Sequence, residues 1–226
     1  MIQIENLSKK FGTNEILRNI SLSLEKGKVY GIVGENGTGK TTLFRCIAGL
    51  EKHTGAVKSP FDSLKNHLGF LQTEPFFFPK ITGGEYLRLL CIARRQNITG
   101  FEGRNIFDLP LNQYAVTYST GMKKKLALTA ILMQENDVFI LDEPFNGVDI
   151  HSNIIITGII QKLKSLRKIV IISSHIFSTL NDTCDEIHLL RGGIFVKKVL
   201  KEEFGQLEQE MKEFVLGNKI EQLDLK

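Results

Sequence analysis

The residues with the clearest chemical signature form a short glycine-rich stretch that directly follows an apolar run, Val29–Val33. Its pattern is G-x-x-x-x-G-K-[ST], which holds the phosphates of a nucleoside triphosphate when it lies between a strand and a helix. The residues are Gly34, Glu35, Asn36, Gly37, Thr38, Gly39, Lys40, Thr41 and Thr42. The stretch therefore predicts that the chain binds a nucleotide.

Each residue type in this loop meets a requirement of phosphate binding. Gly37 and Gly39 let backbone N–H groups approach the phosphate oxygens closely and permit unusual dihedral angles. A helix that begins at Lys40 adds the positive end of its dipole. The Lys40 ammonium is expected to reach the β- and γ-phosphates, and the Thr41 hydroxyl is placed to ligate Mg²⁺.

Two adjacent acids form a second candidate site. Val138–Leu141 is a short apolar run, and Asp142 and Glu143 follow it directly. A buried strand of an open α/β sheet delivers the residues at its C-terminal end to the edge where ligands bind. Neighbouring residues point in different directions there. We therefore expect Asp142 to hold Mg²⁺, directly or through water, and Glu143 to act as the general base for hydrolysis.

A histidine follows another apolar run. Residues 168–172 read Lys-Ile-Val-Ile-Ile, and His175 comes after two serines. A histidine at a strand tip is often structural, but this strand is expected to lie in the same sheet as the phosphate loop. His175 would then face the γ-phosphate, so we predict a catalytic role for it beside Glu143.

With these residues in place, the chain resembles the nucleotide-binding subunit of an ABC transporter over nearly its whole length. Phe11, in 10–12, corresponds to the family's adenine-stacking aromatic, and Gln72, in 69–72, to the glutamine of its Q-loop. Residues 118–122 take the place of the signature motif, and Asp142 and Glu143 with Pro144 form the end of the Walker B strand. Residues 146–149, with Asp149, resemble the D-loop, and His175 corresponds to the switch histidine. Each later motif is weak alone, but their joint order is highly specific.

The signature departs from the common LSGGQ form at three of five positions, where Tyr118, Thr120 and Met122 replace Leu, Gly and Gln. Ser119 and Gly121 remain, and they supply the hydroxyl and the accessible backbone N–H for a γ-phosphate. Similar Tyr-Ser-x-Gly-Met signatures occur in subunits of export-type transporters, which favours export over uptake.

The resemblance implies an ATPase that works as a head-to-tail dimer with two ATP molecules at its interface. Ser119 and Gly121 of one subunit would face the ATP held by the phosphate loop of the other, and the D-loop residue Asp149 would also bind ATP. Gln72 would sense Mg²⁺ and the γ-phosphate, and its loop would contact a separate transmembrane subunit. The second ATPase subunit would be another copy of this chain or a paralogue. The chain would lie at the cytoplasmic face of the membrane.

The elements that must position these residues follow from hydrophobic periodicity. Alternation at 2–7 and 20–24 predicts two antiparallel strands, and helical lengths appear at 42–50 and 147–166. A closing hairpin is expected to join 186–191 to 194–199 through two glycines. Four short apolar runs predict strands buried on both faces of a parallel sheet: Val29–Val33, Leu68–Leu71, Val138–Leu141 and Ile169–Ser173.

The predicted fold class is α/β. It is a P-loop NTPase core, a mostly parallel sheet flanked by helices, with an N-terminal antiparallel β subdomain and an inserted helical subdomain. We expect one ABC-type ATPase domain over residues 1–226. Within it, 1–72 and 134–200 form the nucleotide-binding core, 73–133 the helical subdomain with the signature motif, and 201–226 a short C-terminal helical tail.

The composition bears on the class of protein. A net charge of +4 arises from interspersed lysines and glutamates, so no basic stripe indicates nucleic acid. Cys46, Cys91 and Cys184 are widely spaced, which predicts reduced, buried thiols and neither a disulfide framework nor a metal site. No segment approaches the roughly 20 apolar residues of a membrane span, and the N-terminus does not have the pattern of a signal peptide.

Two other functions stay open at this point. A soluble ABC-family ATPase acting on nucleic acid or the ribosome usually carries coiled-coil insertions or tandem domains, and neither is seen in the sequence. A small P-loop kinase would need a lid with phosphate-binding arginines, for which Arg94 and Arg95 give little support. Separately, three phenylalanines at 76–78 between two prolines either line a docking groove or belong to a loop packed into the helical subdomain.

Overall fold

The chain contains nine strands and six α-helices in the part that the structure describes. The computed structural model describes residues 1–96, 100 and 103–216. In chain order the elements are β1 (Ile2–Phe11), β2 (Asn14–Leu24), β3 (Val29–Val33), α1 (Lys40–Ile47), β4 (Thr54–Lys58), β5 (Leu68–Leu71), α2 (Gly83–Ile92), α3 (Thr120–Met133), β6 (Val138–Leu141), α4 (Ile150–Ser165), β7 (Ile169–Ser173), α5 (Phe177–Thr183), β8 (Glu186–Arg191), β9 (Ile194–Leu200) and α6 (Phe204–Leu216).

A small antiparallel sheet of order β2-β1-β4 forms the N-terminal layer. Ile4 pairs with Leu22 and Leu7 with Ile20, and these apolar side chains are buried as their alternation predicts. The sequence pattern does not predict β4, because its residues barely alternate between buried and exposed positions. Gly55 lets β4 approach β1, since a Cβ at this residue would lie 2.4 Å from the Asn6 carbonyl oxygen.

The larger sheet has six strands in the order β5-β6-β7-β3-β8-β9. The first five run parallel, and β9 returns antiparallel to β8. In β7, Val170 and Ile172 join a core beneath the helices, while Ile169 and Ile171 join a second core beneath the antiparallel sheet. The continuous apolar runs thus have both faces covered, which confirms the prediction of buried parallel strands.

Two helices differ from their predicted bounds, and a glycine and a helix cap explain the differences. Helix α1 begins at Lys40 after Gly39 and ends at Ile47, just before Gly49 with its positive φ of 72°. Helix α4 begins at Ile150 because the Asp149 side chain accepts a hydrogen bond from the Ser152 backbone and caps it. The start predicted at Lys40 is therefore confirmed, whereas the helical run predicted at 42–50 extends three residues too far and the start predicted at 147 is three residues early.

Helices α2 and α3 lie between β5 and β6 in the chain and pack against each other. The Thr82 side chain caps α2 in a capping box with Glu85, and Ser119 caps α3. Tyr118 fastens the region before α3, since its hydroxyl donates a 2.7 Å hydrogen bond to the Pro110 carbonyl. The boundaries of this helical part at residues 73 and 133 stay a prediction.

The C-terminal part closes the sheet. As predicted, β8 and β9 form a hairpin through Gly192 and Gly193, both at positive φ. Helix α6 follows and buries Phe204 and Leu207 against the helix-side core. Residues 217–226 of the predicted helical tail lie outside the described residues.

The three cysteines are buried and free, as expected from their spacing. Burial raises the pKa of Cys46 to about 11 and that of Cys184 to about 12, and it also raises the pKa of Cys91. In the described residues, no helix is both long and apolar enough to cross a membrane.

Candidate functional site

The C-terminal ends of β3, β6 and β7 open onto one cavity of about 440 Å³. These strands are adjacent and parallel, so distant parts of the chain meet at one edge of the sheet. The predicted site residues that line this cavity are Phe11, Asn36, Gly37, Gly39, Lys40, Thr41, Thr42, Asp142, Glu143 and His175. Gly34, Glu35 and Thr38 belong to the same loop but line neighbouring clefts toward α6.

The phosphate loop needs glycine at two kinds of position. Gly37 and Gly39 have φ angles of 82° and 105°, in the left-handed region that favours glycine. Gly34 instead needs space, because a Cβ there would lie 2.3 Å from the Leu190 carbonyl oxygen of β8. No side chain caps the N-terminus of α1, so its free N–H groups face the cavity and favour an anion.

Lys40, the first residue of α1, is the buried cation of the cavity. Its ammonium donates hydrogen bonds to the Gly34 carbonyl at 2.7 Å and the Glu35 carbonyl at 3.1 Å. Burial lowers the pKa of Lys40, while the charges of Glu143 and Asp142 oppose that shift. Lys40 therefore interacts with the loop through hydrogen bonds and with Asp142 and Glu143 through electrostatic attraction.

Three hydroxyl groups hold Asp142. Its Oδ2 accepts hydrogen bonds from Thr41 Oγ1 at 2.6 Å and Thr73 Oγ1 at 2.8 Å, and its Oδ1 accepts one from Ser173 Oγ at 2.6 Å. Asp142 is only 1% exposed. A carboxylate and hydroxyls form the hard oxygen donor set that Mg²⁺ prefers when phosphates and water complete its shell. These residues fit the ion.

Gln72 is not among the described residues that line the cavity, although the sequence predicts it as a metal and ATP contact. The next residue, Thr73, lines the cavity and contacts Asp142 instead. The loop after β5 therefore contacts the metal-side acid through Thr73, and the metal and ATP contacts of Gln72 stay a prediction.

Glu143 is held at a left-handed backbone position, with φ at 52°. Its backbone N–H donates a 2.9 Å hydrogen bond to Ser173 Oγ. The side chain is buried, and no described residue donates a hydrogen bond to its Oε1. Burial raises the pKa of the Glu143 carboxyl, and the charges of His175 and Lys40 partly oppose this. A buried carboxylate oxygen with a free lone pair suits the abstraction of a proton from water.

His175 lies directly beside Glu143. Its Nε2 is 3.0 Å from Glu143 Oε1, an ion-pair distance without hydrogen-bond geometry, and its backbone N–H donates to Glu143 Oε2 at 3.3 Å. The imidazole is 45% exposed. His175 therefore contacts the Glu143 carboxylate and also lines the cavity.

The other predicted ligands lie on a second surface. Ser119 is exposed at the N-terminus of α3, and a Cβ on Gly121 would lie 2.7 Å from the Gly147 carbonyl oxygen. Asp149 caps α4, and its two hydrogen bonds from Ser152 lower the pKa of its carboxyl. Ser119, Gly121 and Asp149 are absent from the described residues that line the cavity.

Phe11 forms the outer wall of the cavity. Its ring is 48% exposed, and the Lys9 ammonium lies 4.3 Å from the ring centroid. An exposed aromatic face at the edge of a phosphate-binding cavity can stack on a flat base.

Sequence reasoning missed three residues around the acids: Thr73, Ser173 and Lys124. Ser173 ends the apolar strand β7, so its polar character at a strand tip was an available signal. Lys124 belongs to a run of three lysines on α3 and is only 2% exposed. Only the three-dimensional packing distinguishes Lys124 from its neighbours.

Comparison with known proteins gives consistent similarities. The family model described as "ABC transporter" matches residues 17–146. The bacitracin transport ATP-binding protein BcrA of Enterococcus faecalis is 31% identical over 235 residues, covering 95% of this chain and 74% of the relative. The ABC transporter ATP-binding protein NatA of Bacillus subtilis is 33% identical, covering 85% of this chain and 87% of the relative.

Solved structures share the fold. An ATP-binding subunit of an ABC transporter superposes with a TM-score of 0.82 at 22% identity, covering 95% of this chain and 99% of that one. A dimeric ATP-binding cassette in a post-hydrolysis state, bound to ADP and Pi, gives a TM-score of 0.80 at 22% identity. It covers 89% of this chain and 99% of the other.

Proposed function

The chain belongs to the ABC transporter family, as an ATP-binding subunit with ATPase activity, and from this premise we propose how its own residues act. The activity drives transport through a separate membrane subunit. Glu143 is the general base, His175 assists it, and Thr41 with Asp142 holds the metal ion. The observation that carries this proposal is the buried Glu143 carboxylate, whose Oε1 lies 3.0 Å from His175 Nε2 and receives no hydrogen bond from a described residue, in the same cavity as the phosphate loop.

The loop residues 34–42 bind the phosphates of ATP. Backbone N–H groups at Gly37 and Gly39 and the N-terminus of α1 supply donors, and Lys40 moves from the loop carbonyls to the β- and γ-phosphates. Thr42, Thr38, Asn36 and Glu35 complete the loop, and Phe11 stacks on the adenine. The arrangement stabilises the negative charge of the triphosphate and orients its terminal group.

Thr41 and Asp142 would hold Mg²⁺. When bound, the ion neutralises the phosphate charge and favours departure of the leaving group. The Thr73 and Ser173 hydroxyls fix the Asp142 carboxylate in place for this role. Gln72, the neighbour of Thr73 in the same loop, would sense Mg²⁺ and the γ-phosphate.

Glu143 accepts a proton from water while the water oxygen bonds to the γ-phosphorus. The bond from that phosphorus to the β-phosphate oxygen breaks, and ADP and phosphate are the products. His175 orients the Glu143 carboxylate and contacts the γ-phosphate. The close approach of His175 Nε2 to Glu143 Oε1 supports this division of roles.

The second surface acts on another subunit's ATP. We propose that Ser119, Gly121 and Asp149 face the nucleotide of a partner in a head-to-tail dimer, either a second copy or a paralogue. The exposure of Ser119 at a helix N-terminus, away from the chain's own cavity, supports this arrangement. Each chain then contributes complementary halves to two sites.

A separate transmembrane subunit docks near the loop that follows β5. Phe77 is buried against Tyr86, whereas Phe76 and Phe78 are 69% and 52% exposed and contact each other edge to face. Exposed paired aromatics are typical of a contact surface. The chain would lie at the cytoplasmic face of the membrane. We favour export, because relatives include lantibiotic transport and linearmycin resistance ATP-binding proteins.

The base assignment is tested by Glu143→Gln. We expect turnover to fall by about 10²- to 10⁴-fold while affinity for a fluorescent nucleotide is kept, because only the proton acceptor is lost. Glu25→Gln, which removes a carboxylate that is 55% exposed, is the matched control and should hydrolyse ATP normally. Unchanged turnover in Glu143→Gln would refute the assignment.

The transport role is tested by affinity purification from gently solubilised membranes of the native cell. A polytopic membrane protein in about equal amount is the expected companion. Recovery from the cytosol with ribosomes or nucleic acid would favour the alternative, a soluble ABC-family ATPase.

A further inference from the structure

A buried lysine connects α3 to the backbone of the proposed base. Lys124 is 2% exposed, and its ammonium donates hydrogen bonds to the carbonyl oxygens of Glu143 at 2.7 Å and Asn146 at 2.8 Å. Burial lowers the pKa of Lys124, since the charged form loses its hydration. Burying a charged group opposes folding unless its contacts offset the lost hydration, and the two hydrogen bonds of Lys124 provide such contacts.

The two carbonyls bracket the turn that carries the base. The Asn146 backbone N–H also donates to the Glu143 carbonyl, at 3.2 Å. Glu143 itself is at positive φ, a conformation that non-glycine residues adopt only when their surroundings enforce it. Ser173 holds the N–H of Glu143 and Lys124 holds its carbonyl. The peptide units on both sides of the base are therefore fixed by side chains from two different elements.

We propose that Lys124 is a positioning residue for ATP hydrolysis, which holds the turn from Glu143 to Asn146 so that the carboxylate faces the attacking water. The inference rests on the proposed role of Glu143 as base. A purely space-filling role would not need an ammonium, because a methionine of similar length fills the same volume without its desolvation penalty. Lys124 touches neither ATP nor water in this role and acts only through Glu143.

The position of Lys124 gives the contact a second consequence. It lies on α3, five residues after Ser119, which caps that helix and is proposed to face the partner's nucleotide. Lys124 therefore links the surface for the partner's ATP to the chain's own hydrolytic group.

The test compares Lys124→Met, which removes the donor, with Lys124→Gln, which keeps a neutral donor. Removing the donor should lower kcat by about 10- to 100-fold, because a base displaced by about 1 Å loses that much rate. KM and nucleotide affinity should stay within about twofold, since the phosphate loop is unchanged. Lys124→Gln should recover part of the lost kcat and fall between the methionine variant and the natural chain.

Lys164→Met is the matched control. Lys164 is also engaged, with Asp185, but near the opposite end of β3, where Asp185 contacts Val29. Its loss should leave kcat unchanged. Thermal unfolding of each variant checks that the fold persists. If only Lys124→Gln folds, that variant decides the test, and a kcat equal to that of the natural chain contradicts the proposal.

A double-mutant cycle with Glu143→Gln separates the two assignments. If Lys124 acts through the base, Lys124→Met causes no further loss once Glu143 is glutamine. A full additional loss in that background, or a Lys124→Met enzyme within about twofold of the natural kcat, overturns the positioning role. Normal turnover in Glu143→Gln alone instead overturns the base assignment, so the two failures are distinguishable.

Discussion

At the scale of single residues, the protonation state of Glu143 controls the proposed chemistry. Only its deprotonated form accepts a proton from water, and burial raises its pKa above the ordinary value. The carboxyl therefore stays protonated to higher pH than a free glutamate, and the activity it supports is lost as the pH falls through this raised value. The positive charges of His175 and Lys40 limit the shift, whereas Asp142 adds to it.

We predict that His175→Ala moves the acid limb of the kcat–pH profile to higher pH. Removing the histidine removes the interaction that most lowers the pKa of Glu143, so more alkaline solution is needed to ionise the carboxyl. The measurement is kcat at saturating ATP from acid to neutral pH. His53→Ala, which alters a partly exposed histidine outside the cavity, is the control. An acid limb that stays in place would contradict the coupling.

Thr73 gives a second prediction at this scale. Thr73→Val keeps the side-chain shape but removes the hydroxyl that donates to Asp142 Oδ2. Because partners of a metal-holding carboxylate orient it, we expect about tenfold more Mg²⁺ to be needed for half-maximal ATPase activity. Thr73→Ser restores the hydroxyl and should behave like the natural chain. An unchanged Mg²⁺ requirement in Thr73→Val would mean that Thr41 and Ser173 suffice to orient Asp142.

The sequence allows some of these residues to be predicted and hides others. Asp142 and Glu143 come directly after a buried strand, and Lys40 ends the glycine-rich loop that follows another, so residue type and position together indicate chemistry. Thr73 lies in a loop without periodicity, so nothing in the pattern separates it from Gln72. A loop's reach depends on its three-dimensional path, which local sequence does not specify.

At the scale of elements, the N-terminus of α3 combines two roles in one residue. Ser119 accepts a hydrogen bond from the Met122 backbone N–H at 3.3 Å and stabilises the first turn of the helix. It is also the proposed contact for a partner's nucleotide. A substitution of Ser119 should therefore change both the stability of the fold and the ATPase activity, whereas a substitution at another helix cap should change only stability.

We predict that Ser119→Ala lowers the free energy of unfolding by about 1 kcal/mol, as does Thr82→Ala at the cap of α2. The Thr82 hydroxyl accepts a comparable hydrogen bond, from the Glu85 N–H. Only Ser119→Ala should also reduce ATP turnover, since Ser119 is proposed to face a partner's nucleotide and Thr82 is not. Denaturant unfolding and steady-state ATPase assays measure the two effects. Equal turnover in both variants would remove Ser119 from the composite site.

Whether an element could be predicted depended on the strength of its pattern. The strands β3, β6 and β7 are buried throughout and almost entirely apolar, so sequence alone indicates them. Strand β4 is partly exposed and held by pairing with β1, a contact between distant residues that no local pattern contains. Helix ends followed glycines and caps such as Asp149 more closely than apolar periodicity.

At the scale of the whole molecule, the two halves of the proposed site lie on different surfaces. The phosphate loop lines the cavity, while Ser119 and Asp149 lie near the start of α3 and α4. Neither Ser119 nor Asp149 is among the described residues that line this cavity, which is consistent with the proposed head-to-tail dimer. Hydrolysis should therefore depend on the encounter of two chains.

We predict that ATPase activity rises faster than in proportion to protein concentration when most chains are monomeric. Two chains must associate to complete each site, so the active fraction grows with concentration. The assay is ATP turnover over a dilution series, with light scattering to follow the dimer. Glu143→Gln with ATP should accumulate the dimer, because hydrolysis no longer separates the subunits. Strictly proportional activity down to the monomeric range would contradict a composite site.

The buried cysteines have a practical consequence for observing this association. Thiol reagents attack the thiolate, and the raised pKa values of Cys46, Cys91 and Cys184 leave almost none of it at neutral pH. The natural chain thus provides a silent background for labelling without removal of any cysteine. A fluorophore attached at a cysteine introduced outside the proposed site, such as Asn112→Cys, would report selectively from one exposed point. Energy transfer between two such labelled chains could then follow the opening and closing of the dimer through each round of nucleotide turnover.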